Sequence, residues 1–97
     1  MVKVGVLATM EAKPGKESEV ASFLEGALSL VQQEPDTVTW YAIRIGPAEF
    51  GIFDTFEADE GRQTHLTGKV AEALMANASE LFVRPPDIRQ VDVLAAK

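Results

Sequence analysis

The sequence lacks cysteine altogether and contains one histidine among its 97 residues. Without cysteine the chain cannot form disulfides, thiolate nucleophiles or sulfur-bound metal sites. One histidine also excludes a multi-histidine metal centre within a single chain, so no metal-binding residue is predicted. Basic clusters are missing as well, because the net charge is -6 and the lysines and arginines are scattered. This excludes the clustered basic face of a nucleic-acid-binding protein.

No apolar run approaches the roughly 20 residues that a membrane-spanning helix needs. The first residues, Met1–Gly5, follow the pattern of a strand rather than that of a signal peptide. A cytoplasmic protein without a membrane partner is therefore expected. There is also no glycine-rich phosphate-binding pattern, so no nucleotide cofactor is implied. The length is that of one domain, and residues 1–97 are predicted to form it.

Hydrophobic periodicity predicts four strands and two helical regions. The predicted strands are residues 2–11, 37–45, 49–57 and 87–96. The predicted helical regions are residues 15–33 and a stretch from about residue 58 to the two prolines at 85 and 86. Gly68 is expected to bend or interrupt the second helical region.

The order strand, helix, hairpin, helix, strand predicts an α+β fold of the ferredoxin-like βαββαβ type. Right-handed crossovers place both helices on one side of a four-stranded antiparallel sheet and leave its other face bare. Hydrophobic residues make up 46% of the chain, and the two central predicted strands carry large apolar groups on both faces. So short a chain cannot bury all of this surface alone. The sequence therefore predicts a homodimer formed through the open sheet face.

Three segments resemble the antibiotic biosynthesis monooxygenase domain family of the dimeric α/β-barrel superfamily. They are Ala12–Glu17, Glu34–Thr37, and Phe53–Phe56 followed by His65 and Leu66. The likeness extends over nearly the whole chain and implies a dimeric α/β barrel. Asp54 takes the acidic position that the family usually fills with glutamate. The first strand has no asparagine in Val6–Thr9, which argues against the haem-degrading branch.

The resemblance implies a cofactor-independent monooxygenase that acts on a small phenol, quinol or polyketide-like substrate. Such chemistry needs no metal, because a deprotonated phenol can pass an electron to O₂ itself. The protein has to supply a dry pocket, orientation and a base. No cofactor is expected, and the predicted partner is a small apolar or aromatic ligand. The alternatives are a non-catalytic ligand-binding or stress-related protein of the same fold, or an isomerase or lyase that uses the same base.

His65 and Asp54 are the predicted catalytic residues. Histidine suits the role of base, since its ordinary pKa of about 6.5 lies near working pH, and Asp54 would orient its ring. On a continuous helix His65 would lie away from the buried side. If Gly68 breaks the helix, Gly61 and His65 point inward.

For both residues an ordinary structural role stays open. His65 could lie on a helix flank, where it is either solvated or bonded to a backbone carbonyl. Asp54 could be exposed near a strand end, or could form a salt bridge with an arginine such as Arg44 or Arg62, because an unpaired buried carboxylate is costly.

Trp40, Tyr41, Phe53 and Asn77 are the predicted substrate-binding residues. Aromatic side chains stack well on flat phenolic ligands, and Asn77 offers a hydrogen bond. Trp40 and Tyr41 point to opposite sheet faces, so at most one of them lines an internal pocket. The alternatives are core or interface packing for the aromatic residues and a bond to the helix backbone for Asn77.

Overall fold

The computed structural model describes residues 1–97 and confirms the predicted ferredoxin-like α+β fold. Its elements are β1 (Val4–Glu11), α1 (Glu17–Val31), β2 (Thr37–Arg44), β3 (Glu49–Phe56), α2 (Asp59–Leu66), α3 (Lys69–Leu81) and β4 (Asp87–Asp92). The predicted boundaries agree to within about three residues, except that β4 ends at Asp92 rather than Ala96. None of the helices combines the length and apolar character that crossing a membrane requires.

The four strands form one antiparallel sheet in the order β2-β3-β1-β4. Side chains alternate between the two faces of a strand, and one face carries the core. The core joins apolar residues of β1 and β3 to residues of α1 and α3, among them Met10, Phe50, Leu24 and Leu74. Both crossover helices therefore cover the same side of the sheet, as the right-handed connection rule predicts.

The predicted interruption at Gly68 is confirmed, because it separates α2 from α3. Gly68 has an extended backbone (φ -90°, ψ -172°). A Cβ atom there would lie 3.2 Å from the Thr64 carbonyl oxygen and 3.4 Å from Glu34 Oε2. The break lets α2 turn independently of α3. As expected for a broken helix, Gly61 and His65 are the buried residues of α2.

The opposite face of the sheet carries exposed apolar side chains. Tyr41 is 57% exposed and Ile43 is 44% exposed, and the partly buried Phe53 lies directly opposite Tyr41 in the β2–β3 register. Tyr41 and Phe53 also line an open groove of about 570 Å³ together with residues from both chain termini. The bare apolar face predicted from the sequence is therefore present.

Candidate functional site

His65 lies between two carboxylates beneath the helices. Its Nδ1 atom is 2.7 Å from Glu34 Oε1, and its Nε2 atom is 2.9 Å from Asp54 Oδ2. The side chain of His65 is 7% exposed and that of Asp54 is 1% exposed. Three separate elements supply the cluster: the loop between α1 and β2, strand β3, and helix α2.

Asp54 reaches this position because it shares the helix-covered face of β3 with Ile52 and Phe56. Its direct cross-strand neighbours are Val6 on β1 and Trp40 on β2. A carboxylate in such surroundings needs a counter-charge to offset desolvation. His65 is placed to supply it.

The arginines considered as partners of Asp54 are engaged elsewhere. Arg62 pairs with Asp59, Nη2 to Oδ1, at 2.7 Å and donates to the Gly5 and Val91 carbonyl oxygens. The Arg44 guanidinium lies 4.7 Å from the centre of the Phe50 ring. The alternative of an arginine salt bridge for Asp54 is therefore wrong.

Glu34 is the member of the cluster that the sequence does not identify, because there it stands only within the Glu34–Thr37 segment of the family resemblance. The Thr37 hydroxyl donates to Glu34 Oε1 at 2.8 Å, which fixes the carboxylate that faces His65. The loop approaches α2 closely at Gly61, where a Cβ atom would lie 2.9 Å from Asp36 Cβ. Any larger side chain at position 61 would push the loop away.

The pKa of His65 is raised above its ordinary 6.5. Burial acts to lower this pKa, but the nearby Asp54 and Glu34 carboxylates stabilise the charged ring and outweigh burial. The imidazolium therefore persists at pH values where a solvated histidine is neutral. In that form both ring nitrogens carry hydrogens and neither has a lone pair to accept a proton.

A narrow cavity adjoins this cluster. It has a volume of about 30 Å³ and runs under α2 and α3 across all four strands. Its lining is Val6, Ala8, Trp40, Ile52, Asp54, His65, Leu66, Val70, Ala71, Leu74 and Ile88. This volume holds about one or two water-sized groups, whereas benzene occupies an engineered cavity of about 150 Å³.

Two buried polar groups on the cavity wall lack hydrogen-bond partners. They are Trp40 Nε1, a donor, and Oδ1 of the Asp54 carboxylate, an acceptor. The other oxygen, Asp54 Oδ2, lies 2.9 Å from His65 Nε2, and this contact is one of the causes of the raised pKa of His65. Unsatisfied buried groups are rare in folded proteins.

Of the predicted site residues, the structure brings His65, Asp54 and Trp40 together at this cavity. Tyr41 and Phe53 lie on the opposite, open face of the sheet. Asn77 is half-buried on α3, where its Nδ2 donates to the Ala73 carbonyl oxygen at 2.8 Å. The structure thus separates Tyr41, Phe53 and Asn77 from His65, and substrate binding by these three stays a prediction.

The chain shares its fold with several solved structures. A structure described as a proposed antibiotic biosynthesis monooxygenase from Caulobacter crescentus superposes with a TM-score of 0.81, at 18% identity over 97% of this chain and 92% of that one. Another, so described and from Nitrosomonas europaea, gives a TM-score of 0.82 at 10% identity over 95% of this chain and 99% of that one. These likenesses confirm the resemblance to this monooxygenase family at the level of the fold.

A much closer likeness exists to the NE2512 protein of unknown function from Nitrosomonas europaea. The two chains are 48% identical, with a TM-score of 0.97 over 100% of this chain and 94% of the other. The chain belongs to the same family as NE2512. No protein-family model matches the sequence, and no curated protein matches it.

Proposed function

We propose that the protein is a cofactor-independent monooxygenase that acts on a small hydroxylated aromatic substrate. One observation carries the proposal: the buried Asp54 carboxylate pairs with His65 through Oδ2 and keeps its other oxygen, Oδ1, without a partner beside an otherwise apolar cavity. A buried, charge-balanced acceptor beside an otherwise apolar cavity suits removal of a proton from a bound phenol or quinol. The shared fold with proposed monooxygenases supports the same reaction class.

Asp54, rather than His65, is the proton acceptor in this proposal. The sequence suggested the opposite assignment, with His65 as base. Both ring nitrogens of His65 face carboxylates, which favour the protonated ring and raise the pKa of His65. His65 is then a positioning residue, whose imidazolium balances the charge of the Asp54 carboxylate. Glu34 in turn fixes the ring of His65.

The overall change for a methylene activated by a phenol ring is CH₂ + O₂ → C=O + H₂O. The substrate reacts as its phenolic tautomer, in which one of the two hydrogens of this carbon has moved to the hydroxyl oxygen. Asp54 takes that hydroxyl proton, and the resulting anion passes an electron to O₂. The two radicals then combine with a new carbon–oxygen bond, and the proton returns to give a hydroperoxide. Loss of the second carbon-bound proton breaks the oxygen–oxygen bond, and the hydroxide released takes up that proton as water.

A non-catalytic ligand-binding role is the second candidate, and the size of the cavity favours it. About 30 Å³ accepts a hydroxyl group but not an aromatic ring. In either role the ring of a ligand must lie at the half-exposed mouth formed by Trp40, Leu66, Ala71 and Ile88, or displace these residues. The two roles share one binding site and differ only in whether O₂ is consumed.

Oxygen uptake on a panel of quinols and anthrones tests the proposal. We expect turnover by the wild-type protein and a loss of about 10²–10⁴-fold in kcat for Asp54→Asn, because this change removes the base while keeping the shape. Asp92→Asn, the same change at an exposed residue at the end of β4, is the matched control and should leave kcat unchanged. Absence of oxygen uptake across the panel, with binding retained, would favour the non-catalytic role.

We also propose that two copies associate through the open sheet face. Tyr41, Ile43 and Phe53 form an apolar surface there, of a kind that monomeric proteins seldom leave in water. In an isologous dimer this apolar surface of one chain packs against the same surface of the other chain. The helix-covered face, with its cavity, stays outside this contact.

A further inference from the structure

The two unpartnered groups on the cavity wall have complementary chemistry. Trp40 Nε1–H can only donate a hydrogen bond, and the ionised Asp54 carboxylate can only accept one. Trp40 and Asp54 are direct cross-strand partners, so their side chains leave the same face of the sheet with Cβ atoms about 4.5–5.5 Å apart. Trp40 Nε1 and Asp54 Oδ1 do not bond each other, since both are without partners.

A group that satisfies both must accept from the indole N–H and donate to the carboxylate. A hydroxyl does both with one oxygen atom. A ketone or an ether oxygen accepts but has no hydrogen for Asp54. A carboxylate ligand would be repelled, because the two negative charges of Asp54 and Glu34 outnumber the one positive charge of the imidazolium between them.

The size of the cavity agrees with this chemistry. Its volume of about 30 Å³ accommodates one hydroxyl oxygen and little more. The other lining side chains apart from His65 are apolar and offer no competing hydrogen bond, and both His65 nitrogens already face carboxylates.

We infer that the buried end of this cavity is a recognition site for one hydroxyl group of the ligand. Trp40 Nε1–H donates a hydrogen bond to the hydroxyl oxygen, and the Asp54 carboxylate accepts a hydrogen bond from the hydroxyl. The aromatic nature of the ligand is taken from the proposed function. The inference adds which group of the ligand the protein recognises, namely the hydroxyl. It predicts selection of phenols and quinols over their methyl ethers. Binding alone reports it, whether or not O₂ reacts.

Trp40 is the only tryptophan in the chain, so its indole N–H gives one isolated NMR cross-peak. We expect phenol to move this peak downfield in a saturable way. Anisole, which has the same ring but no hydroxyl hydrogen, should bind at least about tenfold more weakly, since a hydrogen bond to a charged acceptor is lost. Equal shifts with phenol and anisole, or no shift with phenol, would overturn the inference.

Variants refine the same experiment. Trp40→Phe keeps an aromatic ring but removes the donor, and ligand-detected NMR should show weaker phenol binding with the preference over anisole reduced. Asp92→Asn, at an exposed position outside the cavity lining, should bind phenol like the wild type. The comparison of phenol with anisole needs only the wild-type protein, so a variant that fails to fold does not remove the test.

The outcome is separable from that of the proposed reaction. A preference for phenol without oxygen uptake on any substrate would support the hydroxyl site and count against the monooxygenase. Oxygen uptake with no preference for hydroxylated ligands would support the monooxygenase and overturn the hydroxyl site.

Discussion

Replacing His65 with alanine is expected to lower the free energy of unfolding by about 3–5 kcal/mol at pH 6, because the change leaves the buried Asp54 carboxylate without its counter-charge. Stabilities of small domains are about 5–15 kcal/mol, so this loss is a large fraction of the total. Chemical denaturation monitored by circular dichroism measures it. Glu34→Gln should cost only about 1 kcal/mol, since an amide oxygen can still accept from the ring at this partly exposed position.

A double-mutant cycle separates the ion pair from simple loss of packing. Asp54→Asn removes the charge that His65→Ala leaves unpaired. The double variant should therefore be more stable than the sum of the two single effects predicts, by about 1–3 kcal/mol. Strict additivity would mean that His65 stabilises the protein by filling space and not by balancing Asp54.

The same pair makes stability depend on pH in a defined direction. The pKa of His65 is raised in the folded protein, whereas in the unfolded chain it is near 6.5. The folded state therefore binds the proton more tightly. The stabilisation is fully present below pH 6.5 and is lost as the pH rises through the folded pKa, and His65→Ala should lack this component.

Introducing two lysines on the open sheet face is expected to convert the protein from dimer to monomer. In Tyr41→Lys/Ile43→Lys, the proposed pairing would bury ammonium groups without partners, which weakens association by at least about 100-fold. Light scattering coupled to size-exclusion chromatography should give twice the 10.5 kDa chain mass for the wild type and the chain mass for the variant.

The control for this experiment is Met75→Lys. Met75 is 53% exposed on α3, on the helical side of the sheet, so the change adds the same charge at a similarly exposed apolar site. This variant should remain dimeric. A wild-type protein of 10.5 kDa at every concentration, or dissociation by Met75→Lys as well, would refute pairing through the sheet.

The fold could be predicted because its determinants are local. Pro35, the Gly46-Pro47 turn, Gly68 and the Pro85-Pro86 pair mark the ends of elements, and the periodicity of the residues between them identifies each element. The end of β4 was less well predicted, because Val93–Ala96 continues the apolar pattern of a strand although pairing with β1 stops at Asp92.

The candidate site depends on contacts between residues far apart in sequence, and these were only partly predictable. Asp54 and His65 were identified, but Glu34 was not, since its role becomes visible only when β2 is paired with β3. Thr37 lies opposite Phe56, which brings the loop before β2 to the same sheet edge as α2. The β2–β3 register was therefore the one signal that could have placed Glu34 near His65. Glu34 comes just before β2, and β2 starts opposite the end of β3, where α2 follows.

The choice between Trp40 and Tyr41 illustrates the same limit. Alternation along β2 shows that they face opposite sides, but not which side is covered. The register with β3 resolves it, since Trp40 pairs with Asp54 and Tyr41 with Phe53. A shift of one residue would have exchanged them.

The protonation state of His65 distinguishes an imidazolium that pairs with the Asp54 carboxylate from a neutral histidine that could itself act as base. His65 is the only histidine, so its ring nitrogens can be followed by ¹⁵N NMR during a pH titration without ambiguity. The carboxylates on either side predict a midpoint above 6.5 that falls in Asp54→Asn. A wild-type midpoint at or below 6.5 would contradict this account of the site.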